Sequence, residues 1–445
     1  MQATRTSGTA PLAVLFDATG TTSSLSGTDT FRQISYSFDF GDNRGESWAF
    51  SGQPKNIQVG GPLAAHVFDL PGTYTVRVTT TDAAGTRSQA SVTITVHNPD
   101  SVYAGTQTLC VSPSANYTGC PAGAAQSTSL PSSYSGRRVL LRRGESFGSI
   151  NMGHATSNAI VATYGSGAKP RVTSVRIGEG RPSSAIFPDD VTVMDLNVSN
   201  GIVQGSSASR LLLYRNDLAD SGSTDNQITV GSALEYWAGS DPYRTVATNQ
   251  FFNPREIFVV ENRVIGSSTN LPHMNFQGSV SRLALLGNEM GTANQHTARL
   301  YRLHKSVIAH NALRGRSSDG IRHALKLHSG GLSAYADNYA SSGSSWATRY
   351  VVIANNIFGD AADNNQWTVA VTPQNGQSVE GIEDVIVENN RYVRGSRTVT
   401  DLNITGRRIA YRGNISATSS SAASVSTGAH GGALPADWQG PYYSQ

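Results

Sequence analysis

At 445 residues the chain is long enough for two or three domains; only 15% of it is charged, it holds 45 glycines, and its net charge is +3. So few charges and so many turn formers exclude helical bundles and coiled coils and point to an all-β protein. The small positive balance, with no basic run carrying interleaved aromatics, excludes nucleic acid as the expected partner, and no apolar run approaches the roughly 18 residues of a membrane-crossing helix.

Residues 10–97 read as the first unit. The runs ISYSFDF (34–40), AAHVFDL (64–70), TYTVRVTTT (73–81) and ASVTITV (90–96) alternate apolar and polar residues between Gly, Pro, Asp and Asn, as in a small β-sandwich. The residues Tyr36 to Asp42 (YSFDFGD), His66-Val-Phe68, Pro71 to Val78 (PGTYTVRV), Asp82 and Gly85 resemble a PKD (polycystic kidney disease) domain. Phe38 stands where that family usually has Trp, and Asn43 where it has Gly. In secreted enzymes such domains are spacers or carbohydrate-contacting modules, which is the role the resemblance implies. Asp39 and Asp42 read as turn-capping carboxylates rather than a metal pair.

Residues 98–136 read as a linker leading into the next domain. They hold the two cysteines, Cys110 and Cys120, in a Ser/Pro/Gly-rich stretch with no third cysteine or histidine cluster to complete a zinc site. This favours a local disulfide over a metal and a secreted or periplasmic location. Met1 is followed by no charged and apolar leader, so a signal peptide is expected to be removed or never present.

From 137 to 415 a β-branched run, an Asn and a further apolar residue recur, placing Asn216, Asn262, Asn288, Asn311, Asn356, Asn390 and Asn414 in register. Most of the intervals read as one or two units of about 24 residues, a period that marks a repeat architecture. Each unit lacks helical periodicity and matches one coil of a parallel β-helix. An Asn at a fixed place allows a ladder of side-chain amides at a bend that tolerates left-handed backbone. The pattern resembles the right-handed parallel β-helix proteins found among polysaccharide lyases, rhamnogalacturonases and phage tailspikes. The segments Gly136 to Gly144 with Phe147, and Ala162 to Pro170, look like the opening of such domains. The expected architecture is therefore all-β, a PKD-like sandwich followed by a right-handed parallel β-helix. Residues 416–445, rich in Ser, Ala and Gly at their start, read as a draped tail.

Five of the ten histidines and seven of the 34 Lys and Arg residues fall between Asn294 and His328, diluted by one acid, Asp319. Cations gathered on a nearly neutral protein suggest a place for an anion. Strand alternation turns Leu325 and Leu327 inward, so Arg322, Lys326 and His328 share the outer face. The preceding coil would present Arg299 and Tyr301, and the following one Thr368, Thr372 and Gln374. With coils roughly 4.8 Å apart these side chains would line one wall. His296, at the start of its strand, is a further candidate, whereas His304 and His310 sit near bends and read as structural. Outward Arg and Lys on a β-helix also serve simply to keep a stack soluble.

Cleaving a polyuronide by β-elimination needs a cation to neutralise the uronate carboxylate, a base for the adjacent proton, and an acid for the leaving oxygen. Arg322 and Arg299 suit the carboxylate, Lys326 or Lys305 the base, and His328 or Tyr301 the acid. The segment also resembles in part the chondroitinase B and alginate lyase family, in which a Lys-Ser pair and an Arg-His pair supply base and acid. Lys305-Ser306 and Arg322-His323 stand in that order here, but only 17 residues apart, with Ala324 in place of the family's Gly. That family's acidic calcium ligands have no clear counterpart, so calcium stays open as a cofactor.

The expected function is cleavage of an acidic polysaccharide by a secreted lyase. One rival is a glycoside hydrolase using Asp217, Asp220, Asp225 and Glu235, with Tyr236, Trp237 and Tyr243 as a sugar platform. The other is a non-catalytic adhesin or binding module. The particular sugar and a monomeric or trimeric state are not legible in the sequence.

Overall fold

The computed structural model describes residues 1–179, 186–205, 208–218, 226–231, 255–265, 271–314, 323–328, 348–360, 367–372, 382–393, 400–417, 421–428 and 443–444. Among these residues nearly every regular element is a strand.

In the N-terminal domain Gln2–Ala3, Leu12–Asp17 and Leu63–Phe68 form one sheet. Ser7–Thr9, Ser35–Asp39, Ile57–Gly60, Gly72–Thr81 and Arg87–His97 form the other. Strand alternation turns Phe38, Val76, Val78 and Ile94 onto Val14, Phe16 and Phe68 in one core between the sheets. Asp39 accepts from Gly41 N at 2.9 Å and caps its own turn, while Asp42 is held by Arg44 and by Nε2 of His66 at 2.9 Å. Asp39 thus caps a turn as expected, whereas Asp42 is buried and serves the core through Arg44 and His66.

The second domain is a right-handed parallel β-helix of three sheets. Its first rung is Thr108–Val111, paired in parallel with Arg138–Arg142, so the coils begin before residue 137. They also run past 415, since Val425–Thr427 pairs in register with Leu402 to Ile404, and Tyr443–Ser444 with Ile409 and Ala410. Short rungs of small residues carry too little apolar periodicity to be read as coils. Cys110 and Cys120 are joined, tying the first rung to the loop beyond it.

The asparagine ladder is present. Asn262 donates from its backbone N to Oδ1 of Asn288 at 2.9 Å and from Nδ2 to the carbonyls of Leu213 and Val260. The same pattern passes through Asn288, Asn311, Asn356 and Asn390 to Asn414. Left-handed backbone falls on the residue before each ladder position, for instance Glu261 (φ 53°), His310 (φ 62°) and Asn389 (φ 55°), rather than on the asparagine itself. Asn216 bonds directly to Asn262, and Asn311 to Asn356. The intervals of 46 and 45 residues are therefore single coils lengthened by insertions, not pairs of coils. Asn288→Ala would leave the backbone N–H of Asn262 and the carbonyls of Val259 and Leu286 without this partner in a buried bend. The expected loss is about 2–4 kcal/mol, read as a lower urea midpoint.

One sheet has two apolar faces. Its inward column runs Leu213, Val259, Leu285, Ile308, Ile353, Val387 and packs in the β-helix core. Its outward column runs Leu212, Phe258, Ala284, Val307, Val352, Ile386, Ala410 and packs against Leu15, Phe31, Trp48, Leu63 and Ala65 of the N-terminal domain. We call this the covered sheet. The approach is close: a β-carbon on Gly61 would stand 2.7 Å from Val352 and 2.8 Å from Ile386. Ion pairs rim the contact, with Asp69 holding Arg44 (2.8 Å) and Arg215 (2.9 Å), Lys55 on Glu261 (2.5 Å), and Arg5 on Asp190 (2.7 Å).

His310 sits in this interface, its ring stacked 5.0 Å from Trp48 and its Nδ1 bonded to Ser51 Oγ at 2.8 Å. Burial pushes its pKa down to about 3. A histidine freed from the interface takes up a proton below about pH 6.5, so this docking energy is full above that pH and is lost as pH falls toward 3. The melting temperature should drop over that window, and His310→Asn, which tolerates the left-handed backbone, should flatten the drop by up to one proton's slope, about 1.4 kcal/mol per pH unit. Equal slopes for the two proteins would contradict this.

Candidate functional site

A second sheet of the β-helix carries the cations. Ala298, Leu300, Leu325, Leu327, Val369 and Val371 all point into the core, as the alternation predicts. The register then pairs Gln277 with Arg299, Arg299 with Lys326, and Tyr301 with His328 on the outer face. The Asn294 to His328 segment supplies two of these rungs because it runs from the start of Ala298–Ala309 to the end of Leu325–His328.

Arg299 is half-buried at the centre. Its guanidinium carbon lies 4.9 Å from the Tyr301 ring centroid, and its Nε donates to Nε2 of His328 at 3.4 Å. The Tyr301 and His328 rings stack at 5.2 Å. Lys326 Nζ donates to Thr372 Oγ1 at 2.6 Å. On the other flank the rings of His296 and His323 stack at 5.0 Å, and Nδ1 of His296 accepts from the backbone N of His323 at 3.0 Å. Burial, reinforced by nearby Lys326 and Arg299, holds the His328 pKa well below the ordinary histidine value. His296 is pushed down in the same way, by burial first and then by His323 and Arg299.

The cation balance differs between the two sheets. On the covered sheet Arg215, Arg282, Arg349, Arg407 and Arg412 each reach a carboxylate. Arg299 makes no ion pair with any described residue, and the outward column that holds it, from Thr229 through Gln277, Arg299, Lys326 and Ala370 to Asn403, contains no acid. Among the described residues no carboxylate pairs with this half-buried guanidinium, and a guanidinium so placed is chemically suited to an anion.

The structure thus brings together Arg299, Tyr301, Lys326, His328, Thr372, His296 and His323. It does not bring Lys305 to them. That residue lies at the corner where the strand crosses to the covered sheet (φ 50°), and its Nζ pairs with Asp17 of the N-terminal domain at 2.5 Å. Ser306 is buried, with its hydroxyl bonded to the backbone of Leu283 and His304. Lys305-Ser306 and His323 therefore stand on different sheets, and the pairing suggested by the lyase likeness is not assembled. His304 packs edge-on to Tyr350, and His310 is in the domain contact. Arg322, Gln374, Tyr236 and Trp237 lie outside the described residues, as do Asp220, Asp225 and Glu235. Asp217 sits on the third sheet beside Arg263 at 3.6 Å.

Gln277 went unnoticed in the sequence. It is buried next to Arg299, with Oε1 accepting from Asn226 Nδ2 at 2.5 Å. Only the coil register, not any local motif, could have found it. Among the described residues no three His, Cys, Asp or Glu side chains converge as a metal site.

Residues 2–96 match the family model of the PKD domain. No curated protein and no solved structure matches the chain. A PKD domain and a closed disulfide are features of an extracytoplasmic protein. No described helix is long and apolar enough to cross a membrane.

Proposed function

We propose that this PKD domain and the β-helix beneath it form a secreted enzyme that binds an acidic, uronate-containing polysaccharide on the cationic sheet and cleaves it by β-elimination. The observation that carries this reading is Arg299, half-buried beside Lys326 with no carboxylate among the described residues to neutralise it. A uronate carboxylate would fill that place and accept from the guanidinium fork.

Neutralising the carboxylate makes the neighbouring C5 proton acidic. Lys326 in its uncharged amine form, its Nζ set by Thr372, takes that proton and becomes the ammonium. The electron pair left on C5 forms the double bond to C4, the C4–O bond breaks, and Tyr301 gives its hydroxyl proton to the departing oxygen. His328 is a poor acid in this scheme, because burial and the adjacent cations disfavour its protonated form. Of the acids a hydrolase would use, Asp217 stands on another sheet beside Arg263, away from this face.

Electrophoresis in gels cast with polygalacturonate, alginate or chondroitin sulfate, each compared with a neutral glucan, tests the binding half. Retardation by at least one acidic polymer and none by the glucan is expected. Equal mobility in every gel would remove the polysaccharide reading.

A further inference from the structure

His328 is only 3% exposed, with its ring face against Tyr301. Its Nε2 lies 3.4 Å from Nε of Arg299. A guanidinium nitrogen always carries its hydrogen, so Nε2 of His328 must be the acceptor. The one proton of a neutral ring then sits on Nδ1, which is buried and makes no hydrogen bond to a described residue. Among the described residues, the charged and titratable groups around the ring are Lys326, Arg299 and His323, with Tyr301 stacked on it. A second proton would replace the acceptor with a donor aimed at Arg299.

We propose that His328 is a positioning residue: by accepting from Nε of Arg299, with the Tyr301 ring packed against both, it turns the two terminal amino groups of the guanidinium toward an anion bound beside Lys326. This rests on the reading of Arg299 as the group that holds the substrate carboxylate. An arginine tied at Nε keeps its fork in one plane, which favours a planar carboxylate that can accept two parallel hydrogen bonds. The ordering of that side chain is then built into the protein before any ligand arrives.

Two measurements test it. In protein labelled with ring-15N histidine, and with the resonance assigned through His328→Gln, His328 should show the Nδ1–H tautomer and stay unchanged between about pH 7.5 and 5.5. An Nε2–H tautomer, or titration in that range, would overturn the proposal whether or not the protein is a lyase. The second compares His328→Phe, which keeps a ring against Tyr301 without an acceptor, with His328→Gln, which places an acceptor near the same point. Affinity for polygalacturonate should fall about tenfold in the first and stay within about threefold in the second. Equal losses would mean that the ring fills space and positions nothing. If the unaltered protein binds no acidic polymer, the function reading fails while the tautomer still decides the role of His328.

Discussion

A chain that begins at Asn98, lacking the PKD domain, will be recovered as aggregate rather than as a soluble β-helix. The covered sheet presents Leu212, Phe258, Val307, Val352 and Ile386 in one outward column, all buried under the N-terminal domain. Re-exposing each of these larger side chains costs roughly 1.5–3 kcal/mol, and together with Ala284 and Ala410 they would form one continuous apolar strip. Unfilled, that strip is a surface for self-association. Loss of Asp17 would also strand the β-helix charge of Lys305, while Glu261 would lose Lys55 and Arg215 would lose Asp69, leaving those two only each other. Size-exclusion chromatography and thermal melting of the truncated chain check this. A monodisperse product with an unchanged melting temperature would show that the PKD domain is only a passenger.

The second large effect belongs to the cationic sheet. Arg299→Ala should lower turnover of an acidic polysaccharide by about 10²–10³-fold and weaken binding as well, because the same fork holds the carboxylate in the ground state and stabilises the charge that develops on it. Arg299→Lys should not restore activity, since a lysine offers neither the fork nor the Nε contact with His328. Lys326→Ala should cost about 10²–10⁴ in turnover as the loss of a general base, with affinity much less affected. Lys305→Ala is the control from the same segment. It should leave turnover intact and lower the melting temperature, because Lys305 serves the domain contact through Asp17. If Lys305→Ala abolished turnover while Lys326→Ala did not, the assignment of the two lysines would be reversed.

The architecture was legible because it is written in repeated residues. One asparagine per coil stacks amide on amide, and the alternation Leu325-Lys326-Leu327-His328 separates core from outer face without any tertiary knowledge. The PKD domain was legible from motifs such as YSFDFGD and PGTYTVRV. The docking of the two domains was not read, although a trace of it is present. Runs such as LLLY, FVV and VVIA place apolar residues at consecutive positions, so both faces of those rungs must be covered. The basic cluster was visible as composition, but its division was not. Lys305 and Lys326 sit in the same short stretch, and only the corner at Lys305, with its left-handed backbone, sends one lysine to the domain contact and leaves the other beside Arg299. The long Asn intervals misled for a related reason: an insertion between rungs lengthens the spacing without adding a coil, and the ladder bonds alone tell the two apart.

The most direct test of the proposed chemistry is to incubate the purified full chain with polygalacturonate, alginate, chondroitin and a heparin-like polymer, with and without calcium, and to follow ultraviolet absorbance. Elimination creates a carbon–carbon double bond conjugated to the uronate carboxylate, which absorbs where the intact polymers do not. A rise with at least one polymer that is lost in both Arg299→Ala and Lys326→Ala is the predicted result. A flat trace with every polymer, under conditions where the same protein is retained by one of them in a gel, would contradict catalysis and leave a binding protein.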